Sequence, residues 1–272
     1  MPPKVTLKVT VDGNNPQIDV NPLPRDSFAT VIAVEVPKDF QVYNSPDIQA
    51  DHDIFMDTAQ FKISTDIDSA VIHYTTDGSM PVELSPVAEN TNKVILPASF
   101  TLKAACFLKG KAVSGVSEKY FFKEMPVLSV KNKRVKPGLL YRCYEGQWDK
   151  LPDFDTLKAA ENGICNQPDL SVKKHDANYG LVFSGYLSIP ETNVYQLQLS
   201  SDDGSALRID GKTLMNDGAH AMVTKNMDIA LEKGLHPVEI QFFQGGGDEG
   251  LTVAWKTGNK PVQKIPAENW YH

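Results

Sequence analysis

Two adjacent aspartates, Asp202 and Asp203, precede Gly204 and are the residues best placed by type and spacing to do chemistry. Neighbouring carboxylates repel one another unless a cation or hydrogen-bond donors neutralise them. Ca²⁺ takes about six to eight oxygen ligands from carboxylates, carbonyls and water, so a loop can supply such a site. The alternative is a turn in which the pair caps backbone N–H groups without a metal. Residue type alone leaves both interpretations open.

Aromatic and histidine side chains are the next candidates for ligand contact. Trp148, Trp255 and Trp270 could offer stacking faces to a ring. Trp255 ends an alternating run and is expected in the core. His220 is expected at the edge of a loop, and His236 is expected to pack within a strand.

The three cysteines allow few functions. Cys106 lies in an apolar stretch and is predicted to be a buried thiol. Cys143 and Cys165 lie in one module and could pair, but the sequence leaves this disulfide open. Three cysteines without matching histidine spacing do not make a zinc site.

Short strands position the aspartate pair. Tyr195, Leu197 and Leu199 alternate with polar residues, the period-2 pattern of a half-buried strand. Residues 207–211 repeat the alternation and end in a turn. Asp202-Asp203-Gly204 is therefore predicted to be the tip between two strands.

One short helix is predicted near residues 153–162. Pro152 and Asp153 suit its start, and Gly163 suits the position after its end. Elsewhere 18 glycines and 18 prolines separate short β-rich runs, which favours strands joined by turns. The fold class predicted from this pattern is all-β.

The length of 272 residues predicts about two domains. Residues 1–37 read as strands whose domain membership the sequence leaves open. Residues 38–124 form a first unit of strands and turns, and a polar, basic stretch at 125–137 reads as a linker. Residues 138–272 form the second unit.

Charge and hydropathy exclude several classes of partner. Residues 137–272 contain 12 Lys and Arg against 18 Asp and Glu, so they carry −6 of the total charge of −7. An acidic surface argues against nucleic acid, whose phosphates need clustered basic side chains. No apolar run approaches the ~18 residues of a membrane span. Residues 1–20 contain no apolar core of a signal peptide.

The first unit contains the string Tyr74-Thr75-Thr76-Asp77-Gly78-Ser79-Met80-Pro81. Gly78 allows positive φ and Asp77 can bond its own backbone, as in a hairpin-type turn. With Thr101–Ala104 and Ser114–Ser117, this string resembles the immunoglobulin-like C-terminal domain of chitobiases and β-N-acetylhexosaminidases. Related fibronectin-III-associated modules share the pattern. The resemblance implies an immunoglobulin-like sandwich that supports a catalytic neighbour, without chemistry at Asp77.

The second unit resembles the domain named for the N-terminal fragment of bacterial protective antigen, found in glycosidases, toxins and fungal flocculins. The resemblance covers essentially the whole second half, because turns and strands agree in order. The strings that carry it are Gly138–Tyr141, Tyr144–Trp148, Phe183–Pro190, Tyr195–Gly211, Leu231–Val238 and Leu251–Trp255. It implies a larger antiparallel β-sandwich or barrel that often binds sugar.

The resemblance also implies a site. In the fungal adhesin branch, an Asp-Asp pair joined by a cis peptide holds a Ca²⁺ ion that binds sugar hydroxyls. This role falls on Asp202 and Asp203 here, and the loop 244–250 would complete the site through Asp248 or backbone carbonyls. That loop lacks a clear Asn, in which it departs from the family pattern. Gln244, Trp148 and His220 complete the predicted carbohydrate contacts.

Gly246-Gly247-Asp248-Glu249 resembles the catalytic string of family-20 β-N-acetylhexosaminidases, in which the Glu is the general acid. That string belongs at a strand end of a (β/α)₈ barrel, which needs about 250 residues. Here it joins two β-type runs without βα alternation. Catalysis by Glu249 is therefore not expected, and the chain alone is not expected to be an enzyme.

The sequence thus favours a non-catalytic carbohydrate-binding accessory region of a secreted bacterial glycoside hydrolase, of β-N-acetylhexosaminidase type. Its expected partners are glycans and an upstream catalytic domain. The expected location is secreted, periplasmic or on the bacterial cell surface. The alternative is a structural or adhesion segment without a sugar site.

Overall fold

A computed structural model describes residues 9–12, 15–18, 41–131 and 133–272. The structure is nearly all β and contains several antiparallel sheets, which confirms the predicted fold class. By its contacts the chain divides into two compact units. The first comprises residues up to 50, 60–93 and 100–120; the second comprises 51–59, 94–99 and 121–272. Within the described ranges, no helix is long and apolar enough to cross a membrane.

Among the described residues, ten strands lie in the first half of the chain. They are β1 Val9–Asp12, β2 Asn15–Ile18, β3 Asp47–Gln49, β4 Ile54–Phe55, β5 Thr58–Ser64, β6 Val71–Thr75, β7 Asn92–Ile95, β8 Phe100–Leu108, β9 Lys111–Ala112 and β10 Ser117–Lys123. β1 and β2 pair as an antiparallel hairpin. The rest of the predicted N-terminal region, 1–37, lies outside the described residues.

Two tight turns of the first unit form where residue type predicts them. Gly78 has φ +78°, and Asp77 accepts a hydrogen bond from the backbone N–H of Ser79 at 2.9 Å. Lys109 and Gly110 both have positive φ and connect β8 to β9. β6 pairs antiparallel with β8. Alternate side chains of β5 are buried, and in β8 the four consecutive residues 104–107 are buried.

The second half contains eleven strands and three short 3-10 helices. The strands are β11 Leu139–Glu145, β12 Glu161–Cys165, β13 Tyr179–Ile189, β14 Asn193–Asp202, β15 Ser205–Ile209, β16 Lys212–Asn216, β17 Val223–Leu231, β18 Gly234–Gln244, β19 Gly250–Lys256, β20 Gln263–Lys264 and β21 Trp270–Tyr271. The 3-10 helices are Phe154–Thr156, Leu170–Val172 and Ala267–Asn269.

These strands form the two sheets of a sandwich. One sheet has the order β12-β11-β13-β18-β15-β16, with β21 also on β13; the other has the order β17-β14-β19-β20. Tyr195, Leu197 and Leu199 of β14 are buried in one core with residues from the facing sheet, such as Phe183 and Ile240. Trp255 lies in the same core, as its alternating pattern predicted. The hydrophobic side chains of both sheets are thereby removed from water, which is the main stabilising effect.

The predicted helix near 153–162 is wrong in extent. The helical part is one short 3-10 helix, Phe154–Thr156. The Asp153 side chain caps this helix by accepting a hydrogen bond from the backbone N–H of Asp155 at 3.2 Å. From Glu161 the chain becomes β12 and pairs with β11. Gly163 lies opposite Tyr141, where a Cβ would come 2.8 Å from the tyrosine ring. Pairing with a distant strand therefore overrides the local helix signals.

Residues 125–137, predicted as a linker, lie along the second unit. Val127 forms a parallel bridge with Leu231, and Val130 forms an antiparallel bridge with Leu235. The Val127 N–H donates to the Ala230 carbonyl at 2.9 Å. We call residues 127–131 the strap, because backbone hydrogen bonds hold them to the sandwich.

The cysteines are free thiols. Cys106 is fully buried, as predicted. In the β11–β12 register Leu139 faces Cys165, while Cys143 faces Glu161, so Cys143 and Cys165 are not opposite one another. Burial raises the pKa of Cys165 to about 11, and the group is therefore a protonated thiol at neutral pH.

Candidate functional site

The aspartate pair lies at the predicted tip. β14 ends at Asp202 and β15 begins at Ser205. Asp203 has φ +59°, the left-handed conformation that aspartate tolerates better than most residues. Both residues are buried, with 8% and 5% of their surface exposed. The peptide bonds of the described residues, including the bond between these two aspartates, are trans.

The carboxylate of Asp203 holds two other loops. Its Oδ1 accepts from the backbone N–H of His220 at 3.1 Å, and its Oδ2 accepts from the backbone N–H of Gly245 at 2.8 Å. The Asp203 N–H donates in turn to the His220 carbonyl at 2.9 Å. One side chain therefore joins the tip to the segments 217–222 and 244–250. We call these three segments the tip loops.

Buried hydroxyls fix the conformation of the tip. Ser201 Oγ donates to the Asp203 carbonyl at 2.7 Å and lies 2.7 Å from Ser205 Oγ. The Phe243 N–H donates to the Gly204 carbonyl at 2.9 Å. A Cβ on Gly204 would lie 2.4 Å from the Phe243 ring, so only glycine fits there without movement.

The loop 244–250 is anchored at both ends. Gln244 is fully buried, and its Nε2 donates to the Asp248 carbonyl at 2.7 Å. Glu249 accepts from the Tyr179 hydroxyl at 2.9 Å and from the Lys173 ammonium. Burial and the bond to Glu249 raise the pKa of Tyr179, which stays a neutral donor. Glu249 thus holds the loop of a β-sandwich in place, whereas the catalytic string that it resembles lies at a strand end of a (β/α)₈ barrel.

Two buried acceptor atoms lie on these loops. The His220 Nδ1 lies 2.8 Å from the Ala221 carbonyl and therefore donates to it, and in a neutral ring with that tautomer Nε2 is an acceptor. Neither His220 Nε2 nor Gln244 Oε1 has a hydrogen-bond partner among the described residues. A hydroxyl or an ion brought by a ligand would satisfy such atoms.

The three aspartates predicted as metal ligands differ in how far they are exposed to solvent. Asp202 and Asp203 adjoin at the tip, whereas the Asp248 side chain is exposed on its loop. Across the described ranges, no three or more His, Cys, Asp and Glu side chains cluster with metal-ligand spacing. Calcium binding at these residues therefore stays a prediction, and backbone carbonyls and water would have to supply further oxygen ligands.

Trp148 lies in a small aromatic cluster. Its ring meets Phe154 edge to face at 5.9 Å, and the cluster also contains Tyr144 and Val182. The same segment reaches the tip loops, because the Leu151 N–H donates to Asp217 Oδ1 at 2.7 Å. Trp148 is half-buried by this packing.

Sequence reasoning missed the groups that organise the tip. Ser201, Ser205 and Asn216 form a buried network beside it, and the Gly245 N–H holds Asp203. Ser201 and Ser205 each lie two residues from Asp203, and this spacing could have indicated from the sequence that they contact the tip. The Gly245 contact was not visible, because 42 residues separate it from Asp203.

Comparisons with known proteins agree with this architecture. Residues 135–269 match the family model described as PA14 domain, and residues 61–121 match the one described as Fn3 associated. No curated protein matches the chain.

Three of the similar solved structures each cover about half of the chain. The PA14 domain of MpAFP antifreeze protein has 16% identity and TM-score 0.45, over 53% of this chain and 94% of that one. The PA14 sugar-binding domain from RTX adhesin has 16% identity and TM-score 0.43, over 50% and 98%. The subtype-switched Epithelial Adhesin 9 to 1 A domain from Candida glabrata, in complex with beta-lactose, has 11% identity and TM-score 0.42, over 54% and 92%.

These matches support the protective-antigen-type prediction for the second half and the fibronectin-III-associated resemblance of the first module, whereas the chitobiase-specific part stays a prediction. Residues 135–269 match the PA14 domain family, and residues 61–121 match the Fn3-associated family.

Proposed function

We propose that the second unit binds glycans at the tip loops. The observation that carries this proposal is the convergence of three loops on Asp203, inside a module that matches the PA14 domain. Sugar-binding is frequent in the family that the sequence resembles. Fixed polar groups on a rigid β-scaffold are what selective recognition of hydroxyls requires.

The acceptor atoms give the proposal its chemistry. His220 Nε2 and Gln244 Oε1 can each accept a hydrogen bond from a sugar hydroxyl once the loops admit a ligand. Asp202, Asp203 and Asp248 supply negative charge beside them, and Trp148 lies on the segment bonded to Asp217. Calcium at Asp202 and Asp203 stays a prediction, and it requires carbonyl and water ligands.

We place this unit in a larger secreted bacterial protein as a non-catalytic accessory region. The Fn3-associated match at 61–121 supports the assignment, because the string at Tyr74–Pro81 resembles tails of β-N-acetylhexosaminidases. In this role the unit holds a catalytic neighbour of the glycoside hydrolase type on its glycan, at the cell surface or outside the cell.

A second candidate function is a structural or adhesion segment without a sugar site. Its supporting observation is that both carboxylate oxygens of Asp203 already accept backbone N–H groups. Such bonds explain the aspartate as a loop clamp that needs no ligand.

A glycan array followed by calorimetry separates the two functions. The chain is tested with Ca²⁺ and with a chelator, beside Asp203→Asn, His220→Ala and Asp248→Asn. Met215→Ala is the control, because that side chain is 48% exposed on β16 and outside the tip loops. We expect a glycan signal that His220→Ala and Asp203→Asn weaken. Binding that survives all three substitutions and chelation would remove the tip loops as the site, and no signal at all would favour the structural segment.

A further inference from the structure

The outer face of the larger sheet contains a cleft of about 580 Å³ that includes none of the tip-loop residues. Leu139, Phe183, Leu207 and Ile240 of this sheet point into the core. Successive side chains of a strand point to opposite faces of the sheet, so the residues next to these four along each strand face outward. The cleft is therefore built on four consecutive strands, β11, β13, β18 and β15, instead of on loops.

Register aligns the outward side chains in rows. Leu140 lies opposite Ser184, Ser184 opposite Glu239, and Glu239 opposite Arg208. Adjacent strands are about 4.8 Å apart, so this row of four extends over roughly 14 Å. Tyr186 and Pro237 lie opposite one another in the next row.

The polar part of the cleft contains one ion pair, between Arg208 and Glu239. Arg208 donates to Glu239 Oε1 at 2.9 Å, and the Gln241 Nε2 donates to the same oxygen at 2.8 Å. The two opposite charges cancel, so this pair favours a neutral ligand over an ion. Its donors and acceptors suit a ligand with many hydroxyls.

The other part of the cleft is apolar and partly exposed. Leu140 is 47% exposed, Pro237 is exposed, and the ring of Tyr186 is half-buried. The Lys133 ammonium lies 5.4 Å from the centroid of that ring, on a flexible stem. The accessible part of such a ring, beside aliphatic groups, can stack against apolar C–H surfaces.

We propose that this sheet face is a second glycan-binding site, independent of metal, for a neutral saccharide chain. A pyranose ring has an apolar C–H face bordered by hydroxyls, which matches Tyr186 and Pro237 beside Ser184, Glu239 and Arg208. The volume lies within the usual range of ligand pockets, about 300–1,000 Å³. This site goes beyond the function proposed for the tip loops and shares no residue with it.

Calorimetry in the presence of a chelator tests the proposal. The probes are neutral hexasaccharides: chitohexaose, cellohexaose and laminarihexaose. The variants are Tyr186→Ala, Tyr186→Phe, Arg208→Gln and Asp203→Asn, with Tyr120→Ala as the matched control in the first unit. Circular dichroism confirms that each variant is folded.

We expect at least one probe to bind without metal, with Kd raised about tenfold or more by Tyr186→Ala. Tyr186→Phe keeps the ring and should retain binding, and Asp203→Asn and Tyr120→Ala should not change Kd. Absence of metal-independent binding, or binding that Tyr186→Ala and Arg208→Gln leave unchanged, overturns the sheet-face site.

The two proposed sites can be disproved independently of one another. Binding that requires Ca²⁺ and is lost in Asp203→Asn supports the tip loops and overturns the sheet-face site. Binding that Tyr186→Ala abolishes and Asp203→Asn leaves intact does the reverse. No binding to wild type under either condition overturns both.

Discussion

At the residue scale, Asp203 combines three demands on one position. It adopts a left-handed backbone, accepts two buried N–H groups from distant loops and remains nearly enclosed. Asparagine tolerates the same backbone but offers only one carbonyl oxygen. Alanine offers no acceptor and is strained at positive φ.

Asp203→Ala is therefore expected to lower the free energy of unfolding by about 2–4 kcal/mol. Asp203→Asn should have a smaller effect, because one acceptor remains. Urea unfolding measures both, with Asp248→Asn as control, since its exposed side chain predicts a change within about 0.5 kcal/mol. Equal stability of Asp203→Ala and wild type would show that the carboxylate does not hold the loops.

A second residue-scale feature is the buried pair of His236 and Asp210. His236 Nδ1 lies 2.6 Å from Asp210 Oδ2, and its Nε2 lies 2.7 Å from the Glu232 carbonyl. His236 is completely buried, as its position in a strand predicted. The ring thereby links the turn at Asp210 to the turn that contains Glu232.

His236→Leu leaves the Asp210 carboxylate buried without its partner, so a loss of about 3–5 kcal/mol is expected. Adding Asp210→Asn to that variant should recover part of the loss, and a double-mutant cycle measures the coupling. His175→Leu is the comparison, because its pair with Glu145 is exposed and predicts a change within about 1 kcal/mol. Strict additivity in the cycle would show that the pair does not interact.

At the element scale, the strap shows how a polar stretch becomes structural. Glu232, at the turn between β17 and β18, accepts from the Lys131 ammonium at 2.7 Å and from the Ser129 N–H at 2.9 Å. These contacts lower the pKa of Glu232 from 4.5 to about 2. The Lys131 ammonium contributes most, and the hydrogen bonds from Ser129 add to its effect. The strap is thus fastened by both backbone pairing and a carboxylate.

This pKa gives a pH signature. A carboxylate whose folded pKa is depressed stabilises the fold above its unfolded pKa near 4.5 and loses that contribution as pH falls toward 2. Glu232→Gln should lower the thermal midpoint at pH 7, with the gap to wild type narrowing below pH 4.5. Glu268→Gln, at an exposed glutamate, serves as the control. A gap of constant size between pH 7 and pH 3 would contradict the assignment.

Elements whose signals are local could be predicted from the sequence. The alternation of Tyr195, Leu197 and Leu199 predicted β14, and the turn chemistry of Asp77 and Gly78 predicted the tight turn. The helix predicted near 153–162 does not extend beyond Thr156, because residues 161–163 pair with β11, a strand that ends more than ten residues before them. Local signals cannot reveal such pairing.

At the scale of the whole molecule, domain boundaries follow contacts that a composition shift does not report. Basic and polar residues at 125–137 predicted a linker, yet the partners of the strap lie about 100 residues later, at Leu231 and Leu235. The candidate site likewise depends on contacts between segments that are far apart in the sequence. Its tip was predicted, whereas the Gly245 and His220 N–H groups that hold Asp203 come from distant loops.

The strap predicts how fragments of the chain should behave. A fragment of residues 138–272 retains both sheets of the sandwich but loses the pairing of Val127 and Val130. A fragment of residues 125–272 keeps five backbone hydrogen bonds that the shorter fragment loses. Three hold the strap: the Val127 N–H donates to Ala230, the Val130 N–H to Leu235, and the Glu232 N–H to the Val127 carbonyl. The other two join Lys136 and His272. At about 0.5–1.5 kcal/mol each, these bonds predict that the longer fragment is more stable by roughly 3–7 kcal/mol.

Urea unfolding of the two fragments measures the difference, with Val127→Pro in the longer fragment as the matched variant. Proline removes the N–H that donates to the Ala230 carbonyl, so this variant should lose part of the gain. Equal stability of the two fragments would mean that residues 125–137 act as a free linker. A more stable longer fragment would place the start of the folded second unit before Val127, upstream of the boundary that composition suggests.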